Sequence, residues 1–471
     1  MTLIKSISGI RGTIGGKPGD ALTPVDMVKF AAAYGTWIRA RSGKSKPVVV
    51  IGRDARISGE MVHELITGTL KGLGIDIVNL GLSTTPTVEM AVVFHAADGG
   101  IIITASHNPK EWNALKLLNE RGEFISAKDG EDVLAIAEAE AFVFAEVTKL
   151  GKVVEDTNAL KQHIDAIVKL DLVDVNAIKA KNFRVAFDAV NSSGGIAVPL
   201  LLQALGVDLV FPLYDEPNGE FPHNPEPLPE NLRDLSKEVV KQKANVGFAV
   251  DPDVDRLAIV CEDGEMFGEE YTLVAVADYI LNSGAASVKS LNTVSNLSST
   301  RALRDVTEKA GGKYFASAVG EVNVVEMMKA NQCVIGGEGN GGIILPELHY
   351  GRDALVGIAL FLTALAKSGK TCSVLRQQFP DYCISKNKIE LTREINVDAI
   401  LRGIHDKYKK ELVNTIDGVK VDFEREWVHL RKSNTEPIIR IYAESASMTT
   451  ADNLANKIIT DIKEMIKEMQ Q

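Results

Sequence analysis

Three aspartates alternate in the stretch VGFAVDPDVDRLAIV, at positions 251, 253 and 255, between two apolar runs. In an extended segment, residues at i, i+2 and i+4 point to one side, so this spacing predicts three converging carboxylates. Such carboxylates repel one another unless a cation lies among them, and hard oxygen donors suit Mg²⁺ or Ca²⁺. An EF-hand loop is rejected, because Arg256 stands where that loop needs glycine and LAIVC reads as a strand. A solvated acidic turn is the plain alternative, opposed by the buried strands expected on both sides. Asp251, Asp253, Asp255 and Arg256 do not fill a Mg²⁺ shell. That ion favours phosphate oxygens, so the loop predicts a phosphate nearby.

Three further polar clusters carry chemistry. In ITASHNP, residues 103–109, Ser106 stands beside His107. A hydrolase serine would need an acidic partner and an oxyanion hole, and the G-x-S-x-G elbow is absent. Adjacent residues of an extended segment face opposite ways, which places His107 badly for deprotonating Ser106. A phosphorylatable or turn serine is therefore the better reading. In GGEGNGGIILPELHYGRD, glycines surround Glu338 and Asn340, which offer the acceptors and donors that sugar hydroxyls require. In HLRKSNTEPIIRIYA, Arg431, Ser433, Asn434 and Thr435 form either a phosphate-binding set or a hairpin turn rich in turn residues.

The elements that must position these clusters follow a repeated plan of strand, polar loop, helix and strand. It runs through VVVIGRDARISGE with MVHELITGTLKGLG and IDIVNLG, through FRVAFDAVNSSGG with IAVPLLLQALG and VDLVFPL, and through LNTVSNLSS with TRALRDVTEKAGG and KYFASAVG. Each helix stops on glycine, and units of this length give parallel sheets. GLGIDIV and ALGVDLV suggest duplication, with chance similarity as the alternative. After Lys370 the pattern changes to an α+β unit with an antiparallel sheet. Its last helix carries Leu454, Ile458, Ile462, Met465 and Met469 at helical spacing. The expected domains are 1–150, 151–256, 257–370 and 371–471. The chain has 471 residues, 45% apolar and 24% charged, with net charge −11. That balance argues against a generic nucleic-acid or anionic-membrane binder. No signal peptide is evident. ALVGIALFLTALA is too short to span a bilayer and reads as a buried helix. The four cysteines, in apolar contexts and without CxxC spacing, read as buried reduced thiols, and the protein as cytoplasmic.

Taken together, TASHNP at 104–109, DPDVDR at 251–256, GEGNGG at 337–342 and RKSNTEP at 431–437 resemble motifs of the α-D-phosphohexomutase family. SGIRG at 8–12 and GRDARISG at 52–59 match it too, and the resemblance covers the whole chain in order. It implies an α/β fold of three similar mixed domains around a central cleft, with a C-terminal α+β, TATA-binding-protein-like domain closing over it. It implies Ser106 as phosphate carrier, and Mg²⁺ held by phosphorylated Ser106 with Asp251, Asp253 and Asp255. Arg256 and Arg11 would contact that phosphate, Lys116 would act as general base or acid, and His107 would assist nearby. Lys116 would have to be neutral to act as a base, which a cationic neighbourhood would favour. Glu338 and Asn340 would read the sugar, and Arg431, Ser433, Asn434 and Thr435 the distal phosphate. The implied reaction interconverts hexose 6- and 1-phosphates through a hexose 1,6-bisphosphate, which also serves as activator. Two departures stand out. Asn340-Gly341-Gly342 replaces a common Ser-Gly-His, as in an archaeal-type subgroup resembling phosphoglucosamine mutase. Ala114 replaces part of a common Asn-Gly turn, where local propensity extends a helix through KEWNALKLL but the family pattern makes ALKLL a strand closed near Asn119–Gly122. Phosphomannomutase/phosphoglucomutase activity is the near alternative. A catalytically silent sugar-phosphate-binding protein and a serine-dependent phosphatase are rivals of other classes. Monomer and homodimer are both compatible with the sequence.

Overall fold

The computed structural model describes residues 2–6, 9–390, 395–432 and 438–469. The first strands of the first two repeats, Val48–Arg53 and Arg184–Asp188, carry apolar runs at 48–51 and 185–187, and the shorter Thr293–Asn296 of the third is wholly buried although only Val294 in it is apolar. Strands buried on both faces belong at the centre of parallel sheets, and each of these does. Asp76–Leu82 and Gly99–Ile103 flank the first strand, both parallel to it. Leu209–Leu213 and Val246–Val250 flank the second in the same way, and Tyr314–Ser317 and Ile335–Glu338 the third. The same strand order therefore occurs three times. The helices between first and second strands stop at Gly74, Gly206 and Gly311, whose φ angles of 78°, 74° and 83° are left-handed.

In the first two repeats the chain then returns antiparallel, through Trp112–Leu118 beside Gly99–Ile103 and Leu257–Cys261 beside Val246–Val250. The segment NALKLL is thus a strand, and a turn follows in which Gly122 N–H donates to Asn119 C=O. TASHNP and DPDVDR are the two returns. GEGNGG occupies the same place in the third repeat, running from the end of Ile335–Glu338 to the start of Gly342–Ile344. All three clusters therefore lie at the carboxyl end of the third strand, the end where open α/β sheets bind ligands.

The C-terminal sheet is antiparallel throughout, in the order Cys383–Glu390, Ile438–Ser445, Trp427–Lys432, Val419–Asp422 and Leu412–Asn414. Its core takes Ile400 and Ile404 from helix Val397–Lys407, and Leu454, Ile458 and Ile462 from helix Met448–Met469. Strand Leu412–Asn414 is unforeseen, because three residues are too short to show alternation. Cys261, Cys333 and Cys372 are buried and free, but Cys383 is only half-buried, since it opens a strand at the sheet edge. Helix Ala354–Ser368 is the apolar stretch expected to be buried, and Ala354 to Ala366 are buried without interruption. Among the described residues no helix is long and apolar enough to cross a membrane. The chain divides into two compact units. The larger is Met1–Lys289 with Asn340–Arg376, and the smaller is Ser290–Gly339 with Gln377–Gln471.

Candidate active site

In the larger unit, the backbone turns sharply after strand Gly99–Ile103. Ser106 takes a left-handed φ of 50°, which costs a side-chain-bearing residue strain and needs outside support. Arg56 supplies that support. It is 1% exposed, and its guanidinium donates to the carbonyls of Ser106, Asn108 (2.7 Å), Pro109 (2.7 Å) and Trp112 (3.1 Å). Its Nε pairs with the buried Asp54 at 3.0 Å, and Asp54 also accepts from Thr104 Oγ1 at 2.6 Å. Ser106 Oγ donates to Asp251 Oδ2 at 2.7 Å. The expectation that His107 faces away is corrected: the segment is not extended at Ser106, and His107 Nδ1 lies 3.4 Å from Ser106 Oγ. Burial, reinforced by Arg256 and Arg11, lowers the His107 imidazole to about 2, so it is a neutral neighbour. Arg11 reaches this loop by donating to Asn108 Oδ1 at 2.8 Å.

Asp251, Asp253 and Asp255 are fully buried, and one oxygen of each lies within 4.8 Å of the others. Their convergence does not come from an extended segment. Residues 251–254 form a turn closed by Val254 N–H to Asp251 C=O at 3.0 Å, with Val254 at a φ of 62°. Asp251 Oδ1 accepts the backbone N–H groups of Asp255 and Arg256, both at 3.1 Å. Asp253 Oδ2 accepts from Thr85 Oγ1 at 2.5 Å and from Lys116 Nζ at 2.6 Å. Asp255 Oδ2 meets Lys116 at 3.2 Å and Arg352 at 2.8 Å. Asp253 Oδ1 and Asp255 Oδ1 remain buried without a hydrogen-bond partner. Orphaned carboxylate oxygens are costly, and their presence beside a third carboxylate fits a hard divalent cation. Burial pushes the Asp251 carboxyl well up, and Asp255 and Asp253 push it further. Asp255 is also buried, but Arg352, Lys116 and Arg256 outweigh that and hold it below the usual carboxylate range. Arg256 Nη1 lies 3.4 Å from Glu226 Oε1.

Lys116 corrects a second expectation. Its surroundings are anionic, not cationic: burial opposes its charge, but Asp253 and Asp255 outweigh burial and keep it an ammonium. In this arrangement it is an ammonium that neutralises charge beside Asp253 and Asp255.

The other expected residues fall in two places. Asn340 belongs to the larger unit, where its Oδ1 accepts from Gly342 N–H at 3.2 Å and Gly341 C=O accepts from Leu257 N–H at 3.1 Å. In the smaller unit, Glu338 Oε1 accepts from Asn296 Nδ2 at 2.8 Å and Gly320 N–H at 3.1 Å. The next link is Val319 N–H to Asp417 Oδ2 at 3.0 Å, and Asp417 Oδ2 also pairs with Arg431 Nε at 2.7 Å. Loop 319–320 thus ties Glu338 to Arg431. Ser433, Asn434 and Thr435 lie outside the described residues. Sequence reasoning gave no role to Arg56, Thr85 or Arg352. Arg56 lies inside GRDARISG and Arg352 near the end of GGEGNGGIILPELHYGRD, both motifs of the sequence, whereas nothing in the sequence alone marks Thr85.

Four family descriptions match the chain in order. They are the phosphoglucomutase/phosphomannomutase alpha/beta/alpha domains I, II and III at residues 3–144, 161–264 and 268–382, and the C-terminal domain at 388–460. The phosphoglucomutase/phosphomannomutase of Thermococcus kodakarensis is 34% identical over 97% of this chain and 99% of its own. The phosphoglucosamine/phosphogalactosamine mutase of Sulfurisphaera tokodaii is 29% identical over 98% of each chain. A crystal structure of a phosphoglucomutase/phosphomannomutase family protein from Burkholderia thailandensis covers 98% of this chain and 97% of its own, with TM-score 0.82 and 24% identity. The chain belongs to the α-D-phosphohexomutase family. It is a phosphohexomutase, an isomerase that works by phosphoryl transfer.

Proposed function

We propose that this enzyme interconverts the 6- and 1-phosphates of a hexosamine, as a phosphoglucosamine mutase, with Ser106 as the phosphoryl carrier. The observation that carries the mechanism is the 2.7 Å contact from Ser106 Oγ to Asp251, beside two orphaned aspartate oxygens. A phosphate on Ser106 would bring oxygens to those aspartates. Asp251, Asp253 and Asp255 would hold Mg²⁺ with it, and that ion supplies charge neutralisation for the transferring group. In the first step the phosphoryl group leaves Ser106 Oγ for the free hydroxyl of the hexose monophosphate, giving a hexose 1,6-bisphosphate. The bisphosphate turns over, and its other phosphate returns to Ser106. Each transfer takes one proton from the attacking hydroxyl and gives one to the oxygen that leaves.

Lys116, charged as it stands, is the donor in that exchange. To act as base it must first lose the hold of Asp253 and Asp255 on its proton. Arg11 and Arg256 flank the carrier serine's loop and the aspartate loop, and neutral His107 packs against Ser106. Glu338 and Asn340 read the sugar. Arg431 with Ser433, Asn434 and Thr435 takes the phosphate that is not reacting, and hexose 1,6-bisphosphate primes the enzyme by phosphorylating Ser106. This reading keeps the four-domain division at 1–150, 151–256, 257–370 and 371–471, and a cytoplasmic setting.

The preference for a hexosamine rests on the GEGNGG loop and on the Sulfurisphaera relative, named for glucosamine and galactosamine phosphates. A second reading, phosphoglucomutase/phosphomannomutase, is favoured by the name of the Thermococcus relative. A coupled assay across glucosamine, mannose and glucose 6-phosphates, with the matching bisphosphate, separates the two. Intact-mass measurement should show one phosphate that Ser106→Ala lacks, and this variant should lose mutase activity. Full activity in Ser106→Ala sinks the mechanism.

A further inference from the structure

In the larger unit, apart from the aspartate loop, two imidazoles meet one carboxylate oxygen. His163 Nε2 lies 2.9 Å from Asp353 Oδ2, and His349 Nε2 lies 3.3 Å from the same atom. The far side of each ring faces a polar group. Thr87 Oγ1 lies 3.0 Å from His163 Nδ1, and Glu89 Oε2 lies 3.2 Å from His349 Nδ1. His163 and Asp353 are fully buried, Glu89 is 1% exposed, and the His349 side chain is 9% exposed. Asp353 spends its other oxygen capping helix Ala354–Ser368, accepting from the N–H groups of Leu355 and Val356 at 2.8 and 3.2 Å. This leaves Oδ2 to face both rings.

The arrangement matches a metal centre in three respects. First, zinc ligands at about 2.0–2.2 Å in tetrahedral array stand roughly 3.3 Å from one another. The two distances to Asp353 Oδ2 are 2.9 and 3.3 Å, and all three ligand atoms lie within 4.8 Å of one another. Second, metal-bound imidazoles place the remaining ring nitrogen against a carboxylate or another polar group, as Glu89 and Thr87 are placed here. Third, Glu89 and Asp353 bring two carboxylates into a buried site. A divalent cation offsets both carboxylates with the rings neutral.

We propose that His163, His349 and Asp353 form a second metal site, of the zinc class, which pins helices Thr85–Phe94, Ala159–Val168 and Ala354–Ser368 to one another. Two imidazole nitrogens and one carboxylate favour Zn²⁺ over Mg²⁺, so this site and the all-oxygen aspartate loop select different ions. The role is structural and does not depend on the mutase mechanism.

The test loads the full chain with Zn²⁺, passes it over a chelating resin in excess Mg²⁺, and measures bound metal by mass spectrometry. About one zinc per chain is expected to remain, and Co²⁺ in its place should give the strong visible absorption of a low-coordinate nitrogen-containing site. Both signals should persist in the Asp251→Asn/Asp253→Asn double variant and disappear in His349→Gln and in His163→Gln. If the histidine variants do not fold, the Co²⁺ spectra of the wild type and the aspartate variant decide. Absence of retained zinc in the wild type overturns the proposal. So does zinc, or the Co²⁺ band, lost from the aspartate variant, as does zinc kept by both histidine variants.

Discussion

Arg56 shows how one side chain can hold a loop without touching the reacting atom. Its guanidinium accounts for four carbonyls of the Ser106 loop and one buried carboxylate. Lysine has a single ammonium and cannot reproduce that fork. Replacing one partner of a buried ion pair leaves the other uncompensated, at a cost of about 3–5 kcal/mol. Arg56→Met should therefore lower unfolding stability by roughly that amount. Arg56→Lys should retain more stability but phosphorylate Ser106 more slowly, because the left-handed turn at Ser106 loses its support. Urea unfolding and a phosphorylation time course measure the two effects. Wild-type phosphorylation kinetics in Arg56→Lys would remove Arg56 from this role. Arg56 was not legible as a contact in the sequence. It stands 50 residues before Ser106, and the GRDARISG motif that contains it does not show which loop it holds.

At the scale of elements, the sequence carried more. The repeats were readable because strand and helix periods alternate cleanly, and the structure gives all three the same strand order. The C-terminal sheet was readable from its alternating strands. Less visible was that the serine, aspartate and glycine-rich loops occupy one topological position, since that depends on pairing and not on composition. Local propensity misleads at KEWNALKLL, where pairing with Gly9–Thr13 on one side and Gly99–Ile103 on the other imposes a strand. The charge of Lys116 was not legible either, because the aspartates that set it are 137 and 139 residues away. Gly341 marks where backbone geometry anchors a candidate binding loop. It has a φ of 81°, and an added Cβ would lie 2.3 Å from the carbonyl oxygen of Leu257. Gly341→Ala should thus cost about 1–3 kcal/mol from the backbone conformation alone. It should raise the KM for hexose phosphate more than it lowers kcat. An unchanged KM would show that the loop does not contact substrate.

For the molecule as a whole, acid should act unevenly. In the smaller unit, burial lowers His429 to about 4, against the hydrogen bond it makes to the Asp417 carbonyl. An unfolded histidine titrates near 6.5, so the folded state binds fewer protons between these values. The stability this group contributes is complete above about pH 6.5 and is lost as pH falls toward 4. Hydrogen exchange at pH 5 should accelerate in strands Val419–Asp422 and Trp427–Lys432 before it does in Val48–Arg53, and His429→Gln should reduce that difference. Equal acceleration everywhere would contradict it. The order of the chain has a separate consequence, for synthesis. Helix Ala354–Ser368 packs against helices Ala159–Val168, Val175–Ala180, Gly194–Ala204 and Glu269–Asn282, yet a ribosome delivers it only after residues 290–339 of the smaller unit. Until then those four helices expose the apolar faces it will cover. A chain stopped at Lys289 should aggregate, whereas one continued to Arg376 should stay soluble, a difference that sedimentation of translated fragments can read. The nascent protein therefore needs a chaperone most during the interval between those two points.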